Sequence, residues 1–98
     1  MSETEETTAK EPISVFEHIA QIVNAMATIS WQKLGLQPDM ATGRIAQDLA
    51  EAKVAIDVTA HLASALEQAL DEDDRRRVQG MVRDLRINYV EKMKESGQ

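Results

Sequence analysis

Cysteine is absent from the 98 residues, which removes disulfides, thiolate metal sites and cysteine nucleophiles together. Aromatic residues are scarce. Phe16, Trp31 and Tyr89 are the only three, so any core must be aliphatic, built from Ala, Leu, Ile, Val and Met. No apolar run approaches the ~20 residues that span a bilayer. A basic start followed by an apolar stretch, as in a secretory leader, is missing too, and the first dozen residues are acidic and polar instead. These absences together predict a cytoplasmic protein with no membrane partner. Neither a phosphate-cradling glycine loop nor a Gly-x-Ser-x-Gly nucleophile motif occurs. The expectation is therefore a protein that is not an enzyme and holds no cofactor.

What is present is helical patterning. Ile45, Leu49, Ala52, Ile56, Thr59, Ala63, Leu66 and Leu70 recur at alternating steps of four and three. That repeat keeps one narrow seam of a helix facing a partner helix along its length. The chain is one domain at most, since domains typically hold roughly 100–150 residues. A chain so short buries only about 60–65% of its unfolded surface, which leaves a thin core unless other chains add to it.

The formal charge is −6. Half of it lies in Met1–Pro12, where Glu3, Glu5, Glu6 and Glu11 face only Lys10. Residues 1–12 have no apolar periodicity and read as a disordered, solubilising acidic tail. Residues 13–95 read as a single helical domain and 96–98 as a frayed end. Helices are predicted over about 15–34, 44–68 and 72–94, and no strand pattern or internal repeat appears.

Ser14-Val15-Phe16-Glu17 has the form of a capping box that starts the first helix. Gly35 and Pro38 stop it, Gly35 by taking the left-handed conformation and Pro38 by being unable to continue a helix. Leu36 is expected to fold back on Trp31 in a Schellman ending. From His18 to Gln32 this helix has no acidic residue, Lys or Arg. Val15, Ile19, Ile22, Met26 and Ile29 form one stripe along it, broadened by Phe16, Val23 and Ala27. Such a helix is poorly suited to half-immersion in water. It must sit at the centre of the domain or meet a second subunit.

Pro38, Asp39 and Thr42-Gly43 mark a connection over 35–43 with its own fixed shape. In the second helix, Lys53, Asp57, His61, Ser64 and Gln68 form the solvated side. Asp71-Glu72-Asp73-Asp74 opens the third, with Asp71 as cap and the other carboxylates complementing the helix dipole. Val78, Val82, Leu85, Tyr89 and Met93 make its apolar face. Gly80 interrupts it at about 1 kcal/mol relative to Ala, which a close crossing by another backbone would explain.

With the segments placed, several blocks have a familiar form. They are Leu34-Gly35-Leu36-x-Pro38-Asp39, then Thr42-Gly43, then Asp48-Leu49-Ala50-x-Ala52-Lys53-x-Ala55-Ile56-Asp57, and Asp84-Leu85-Arg86-x-x-Tyr89-Val90-Glu91. In order and spacing they resemble a small bacterial family catalogued as domain of unknown function eighteen-forty-four. The resemblance implies a short, helical, cytoplasmic bacterial protein. It carries no activity or site residues across, because the family is functionally uncharacterised. Glu67-Gln68-Ala69 stands where family members often have a Lys-Gly-Asn type break, so the turn there should be tighter or partly helical. Met40 stands where a proline often follows Asp39, which argues for a less rigid loop.

Three constellations bear on function. Asp57 and His61 are four residues apart on one helical face and could offer two metal ligands. The only other histidine, His18, is remote in sequence, and Val15 and Val58 occupy the places where di-iron bundles carry glutamates. A hydrogen-bonded surface pair is the better reading. Arg75-Arg76-Arg77, with Arg83 and Arg86, could track a phosphate backbone. However, Asp71, Glu72 and Asp73 precede the triplet by four residues in the favourable acid-to-base order, which favours ion pairing within the helix. Asp84 and Arg86 flank the buried face of Leu85 and Tyr89, and the set Asp84, Arg86 and Tyr89 reads as a structural clamp or a partner epitope. The clamp would engage the 35–43 loop or a neighbouring subunit.

The expected fold is all-α, a three-helix bundle made of a helical hairpin plus a C-terminal helix and completed by self-association. The expected function is a non-enzymatic interaction module that self-associates, a dimer favoured, through Val15, Ile19, Ile22, Met26 and Ile29. One alternative is a nucleic-acid or ribosome-associated accessory protein using Arg75, Arg83 and Arg86. Another is a small-molecule or metal-binding bundle. An overall acidic charge makes nucleic acid the weaker partner.

Overall fold

A computed structural model of the chain describes residues 11–97. Three α-helices, Val15–Lys33 (α1), Leu49–Leu66 (α2) and Glu72–Glu95 (α3), follow one another, with a 3-10 turn at Glu67–Ala69 between the last two. The fold is all-α, and no strand occurs among the described residues. None of these helices is long and apolar enough to cross a membrane. The acidic tail expected over 1–12 lies, through residue 10, outside the described residues.

Each helix begins on a side chain that takes up a free amide. Ser14 Oγ accepts from the Glu17 N–H at 3.3 Å, Asp48 Oδ1 from Glu51 at 3.0 Å and Asp71 Oδ1 from Asp74 at 2.8 Å. All three cap residues have extended backbone, as an N-cap requires. α1 ends in the expected Schellman arrangement. The Leu36 N–H donates to the Trp31 carbonyl at 3.1 Å and the Gly35 N–H to Gln32 at 3.0 Å, with Gly35 at φ +81. After α3, the Ser96 N–H donates to Lys92 and the Gly97 N–H to Lys94, both at 3.1 Å, so a turn follows the helix at these two residues.

The second helix departs from expectation. It starts at Leu49, not Arg44, and Ile45 lies outside it, 60% exposed. Residues 44–48 instead have their polar groups committed elsewhere. Arg44 offers its carbonyl to the Asp39 N–H at 2.8 Å, Gln47 Nε2 donates to the Leu34 carbonyl at 3.1 Å and Asp48 N–H to Lys33 at 2.8 Å. The overlooked signal is Asp48-x-x-Glu51, which has the spacing of a capping box.

The connection is ordered by Asp39. Its carboxylate accepts from Ala41 and Thr42 at 2.8 and 3.1 Å, and its carbonyl accepts from Gly43 at 2.7 Å. Gln32, only 7% exposed, reaches from α1 to accept from the Met40 N–H at 3.2 Å. A proline at position 40 has no such hydrogen to give, so Met40 supplies a staple to this loop.

The seam is where the periodicity put it. Ala52, Ile56, Thr59, Ala63 and Leu66 are buried, Leu49 and Leu70 partly so. Small side chains let α1 lie close alongside α2, and Val23, Ala27 and Ser30 are its buried members. Two buried hydroxyls are spent within their own helices, Thr59 on the Ala55 carbonyl at 2.6 Å and Ser30 on Met26 at 2.8 Å. α3 packs chiefly against α2 and barely meets α1. The core is Ala27, Leu34, Ala52, Ile56 and Leu85, with Trp31, Leu49, Met81 and Tyr89 against it. Extents of 56 × 34 × 18 Å make a thin slab. Several large apolar side chains, among them Ile22, Val54, Val58, Ile87 and Val90, stay exposed on its surfaces.

Gly80 marks no backbone crossing. An added Cβ would meet nothing within 4 Å.

Candidate functional site

Two places on this slab gather the residues singled out by sequence. The first is the outer face of the α1–α2 hairpin. The two helices run antiparallel, with Lys33 Nζ and Glu51 Oε1 2.9 Å apart at one end. On α1 the steps 22, 26, 29 bring Ile22, Met26 and Ile29 to one side. On α2 the step of four brings Val54 and Val58 alongside. Met26, Ile29, Val54 and Ala55 line an open groove closed at its end by the Lys33–Glu51 pair. Ile22 is 44% exposed, Val54 62% and Val58 39%. Of the remaining stripe residues Val15 is exposed, and Ile19, Met26 and Ile29 are half-buried. The stripe Val15, Ile19, Ile22, Met26 and Ile29 is thus not the face that packs within the chain; Val23, Ala27 and Ser30 are. The two helix-two valines were missed. They belong to neither the seam nor the charged side, and only folding places Val54 beside Met26 and Ile29, with Val58 one turn further along α2.

The second place is the cleft between α2 and α3, lined by Lys53, Ile56, Asp57, Arg86, Tyr89 and Val90, with a volume of about 140 Å³. Asp57 is its hub. Lys53 Nζ lies 2.8 Å from Asp57 Oδ2, and Arg86 Nη1 lies 3.0 Å from Oδ1. The Lys53 ammonium, then the Arg86 guanidinium, hold the Asp57 carboxyl below the usual carboxylate range. Asp57 in turn raises the Lys53 pKa through its hydrogen bond and charge, and Glu51 does the same for Lys33. All are solvent-facing pairs, so each is worth little individually.

The expected clamp is therefore only partly as drawn. Arg86 does fasten α3, but to Asp57 of α2 and not to the 35–43 loop. Tyr89 packs on the core beside it. Asp84 is exposed and takes no part, its carbonyl accepting from Asn88 Nδ2 at 2.8 Å. The expected Asp57–His61 pair is replaced by the two cations, because the carboxylate is already claimed on both oxygens. His61 stays exposed. No group of three or more His, Cys, Asp or Glu that could hold a metal occurs among the described residues.

The basic triplet is paired within its own helix, Arg76 in the expected four-residue register and Arg75 and Arg77 at a spacing of three. Glu72 binds both Arg75 at 2.9 Å and Arg76 at 3.3 Å, and Asp74 binds Arg77 at 2.7 Å. Asp71 is occupied as the cap. Arg75 also donates through Nη2 to the carbonyls of Leu70 at 3.0 Å and Glu67 at 3.4 Å. It thereby satisfies the end of the Glu67–Ala69 turn, which is partly helical as expected. Arg83 sits further along α3, exposed, beside Gln79, Val82, Arg86, Ile87, Val90 and Glu91 on the outer surface. The five arginines do not converge on one patch.

Residues 16–91 match the family model described as Domain of unknown function (DUF1844). The chain belongs to this family. The match starts within the first turn of α1 and ends at Glu91, so the family's span includes the bare hairpin face, the Asp39 loop and the Asp57–Arg86 clasp. Two blocks that carry the resemblance, Asp48–Asp57 and Asp84–Glu91, contribute the two walls of that clasp. No curated protein and no solved structure matches.

Proposed function

We propose that this member of the DUF1844 family is a non-enzymatic helical interaction module that self-associates, a dimer favoured, and works in the bacterial cytoplasm. The observation that carries the reading is the uncovered side of α1. Ile22, Met26 and Ile29 stay outside the chain's own core, on a helix with no charged residue between His18 and Gln32. Contiguous exposed apolar surface of this kind marks interaction sites. The bacterial cytoplasm is inferred from the family resemblance and the cysteine-free composition.

Light scattering at roughly 100 µM should give the mass of two chains, a concentration that populates even a micromolar dimer. Replacing Ile22 and Ile29 with Asp should split the assembly. A single-chain mass without binding of a hydrophobic dye would overturn the reading. Nucleic-acid binding through Arg75, Arg83 and Arg86 is the weaker reading, since Arg75 and Arg86 are committed to Glu72 and Asp57. Salt-sensitive retention on RNA that falls when these three are replaced would revive it.

A further inference from the structure

We infer that the second copy docks on the two-helix face centred on Val54 and Val58 of α2 and Met26 and Ile29 of α1, and not on the outer surface of α3. This rests on the self-association proposed above and adds where the copies meet.

Two surfaces compete for that role, because each leaves large apolar side chains in water. On the hairpin face they are Ile22, Val54 and Val58; on α3 they are Ile87, 52% exposed, and Val90, 49% exposed. Charge separates them. A contact that buries charge must strip it of water, so a surface free of charge costs less to cover. The α1 half of the hairpin face contributes none from His18 to Gln32. The charges beside the α2 half are paired among themselves, Glu51 with Lys33 at the end of the groove and Lys53 with Asp57 next to Val54 and Val58. On α3, by contrast, Ile87 and Val90 are bordered by Arg83, Arg86 and Glu91. A two-fold contact presents the same patch from both sides. On α3 it would enclose Arg83, Glu91 and the Arg86–Asp57 pair from each copy, charges that must lose water as the contact forms.

Area supports the same choice. α1 and α2 are each about 28 Å long, and axes roughly 9 Å apart give a face about 20 Å wide. Two copies then bury on the order of 1,100 Å², just above the ~1,000 Å² that separates a specific interface from a chance contact. A single exposed helix such as α3 offers about half that width. The resulting assembly is a four-helix layer, with the two α3 helices on its outer sides.

The absence of cysteine makes the test clean. Single Val54→Cys and Ile87→Cys variants present thiols of similar exposure, so collision alone oxidises them at similar rates. Val54→Cys should form the disulfide-linked dimer at least ~10-fold faster if paired copies bring those sites together. In parallel, Val54→Asp with Val58→Asp should scatter as one chain with unchanged helical circular dichroism. Ile87→Asp with Val90→Asp should keep the two-chain mass. Equal oxidation rates, or faster linking at Ile87, would overturn the assignment even if the wild type is dimeric. A wild type that scatters as one chain at every concentration would remove self-association itself, and this interface with it. If the paired Asp substitutions on α2 reduce helical content, the oxidation rates decide alone.

Discussion

α2 and α3 are both regular helices opened by an aspartate cap, yet α2 buries six residues in 18 and α3 buries one, Leu85, in 24. α2 is held from outside by α1 on one flank and α3 on the other. α3 is held largely from within. A cap at Asp71, carboxylates at the positive end of its dipole, basic residues at the negative end and three ion pairs across its first two turns supply what packing does not. The two helices show that an element can be specified by tertiary burial or by local electrostatics, and that the second leaves it free to present polar and apolar groups outward.

The sharpest way to break this contrast is to cut into the core from each side. Ile56→Ala and Leu85→Ala should each cost about 2–5 kcal/mol in urea unfolding, because both are fully enclosed. Half-buried Val82→Ala should cost less than ~1 kcal/mol. A Val82 loss as large as that of Leu85 would mean α3 is packed more deeply than described. Next in size are the caps. Asp48→Ala should cost about 1 kcal/mol and loosen the start of α2, read as faster amide exchange at Leu49–Glu51. Gly80→Ala has the opposite sign. With open space at the new Cβ, it should stabilise by roughly 0.5–1 kcal/mol, and a loss would reveal a neighbour not accounted for.

The smallest effect concerns the clasp between the two helices. Asp57 has its folded pKa depressed, so it contributes stability that is present above its unfolded value and lost as pH falls through the folded one. The wild-type advantage over Asp57→Asn should be at most ~1 kcal/mol at neutral pH. It should shrink as acid protonates the carboxyl, below the usual carboxylate range. An advantage that grows on acidification would contradict the pairing with Lys53 and Arg86.

Much of this architecture was legible beforehand wherever one physical rule acted without competition. The 4–3 seam from Leu49 to Leu66 follows from packing a helix along its length. The Gly35 stop and the Asp71 cap follow from backbone groups that need partners. The seam was also overextended. Ile45 kept the period, but the Asp48 carboxylate and the Gln47 contact with α1 claimed that segment first. The site was less legible, because helical spacing places a residue on a face without saying what lies opposite. Asp57 and His61 share a side of α2, yet Arg86, 29 residues away, took the carboxylate. Val54 and Val58 gained importance only once α1 lay beside them.

The Asp39 turn and the Gln32 staple join residues only a few positions apart along the chain and brace the connection between α1 and α2. α3 rests on α2 with one fully buried residue, Leu85, and has very little of its own to lose by lifting off. In a hydrogen-exchange experiment its amides should open as a separate, less protected unit, while the α1–α2 seam persists until the whole chain unfolds.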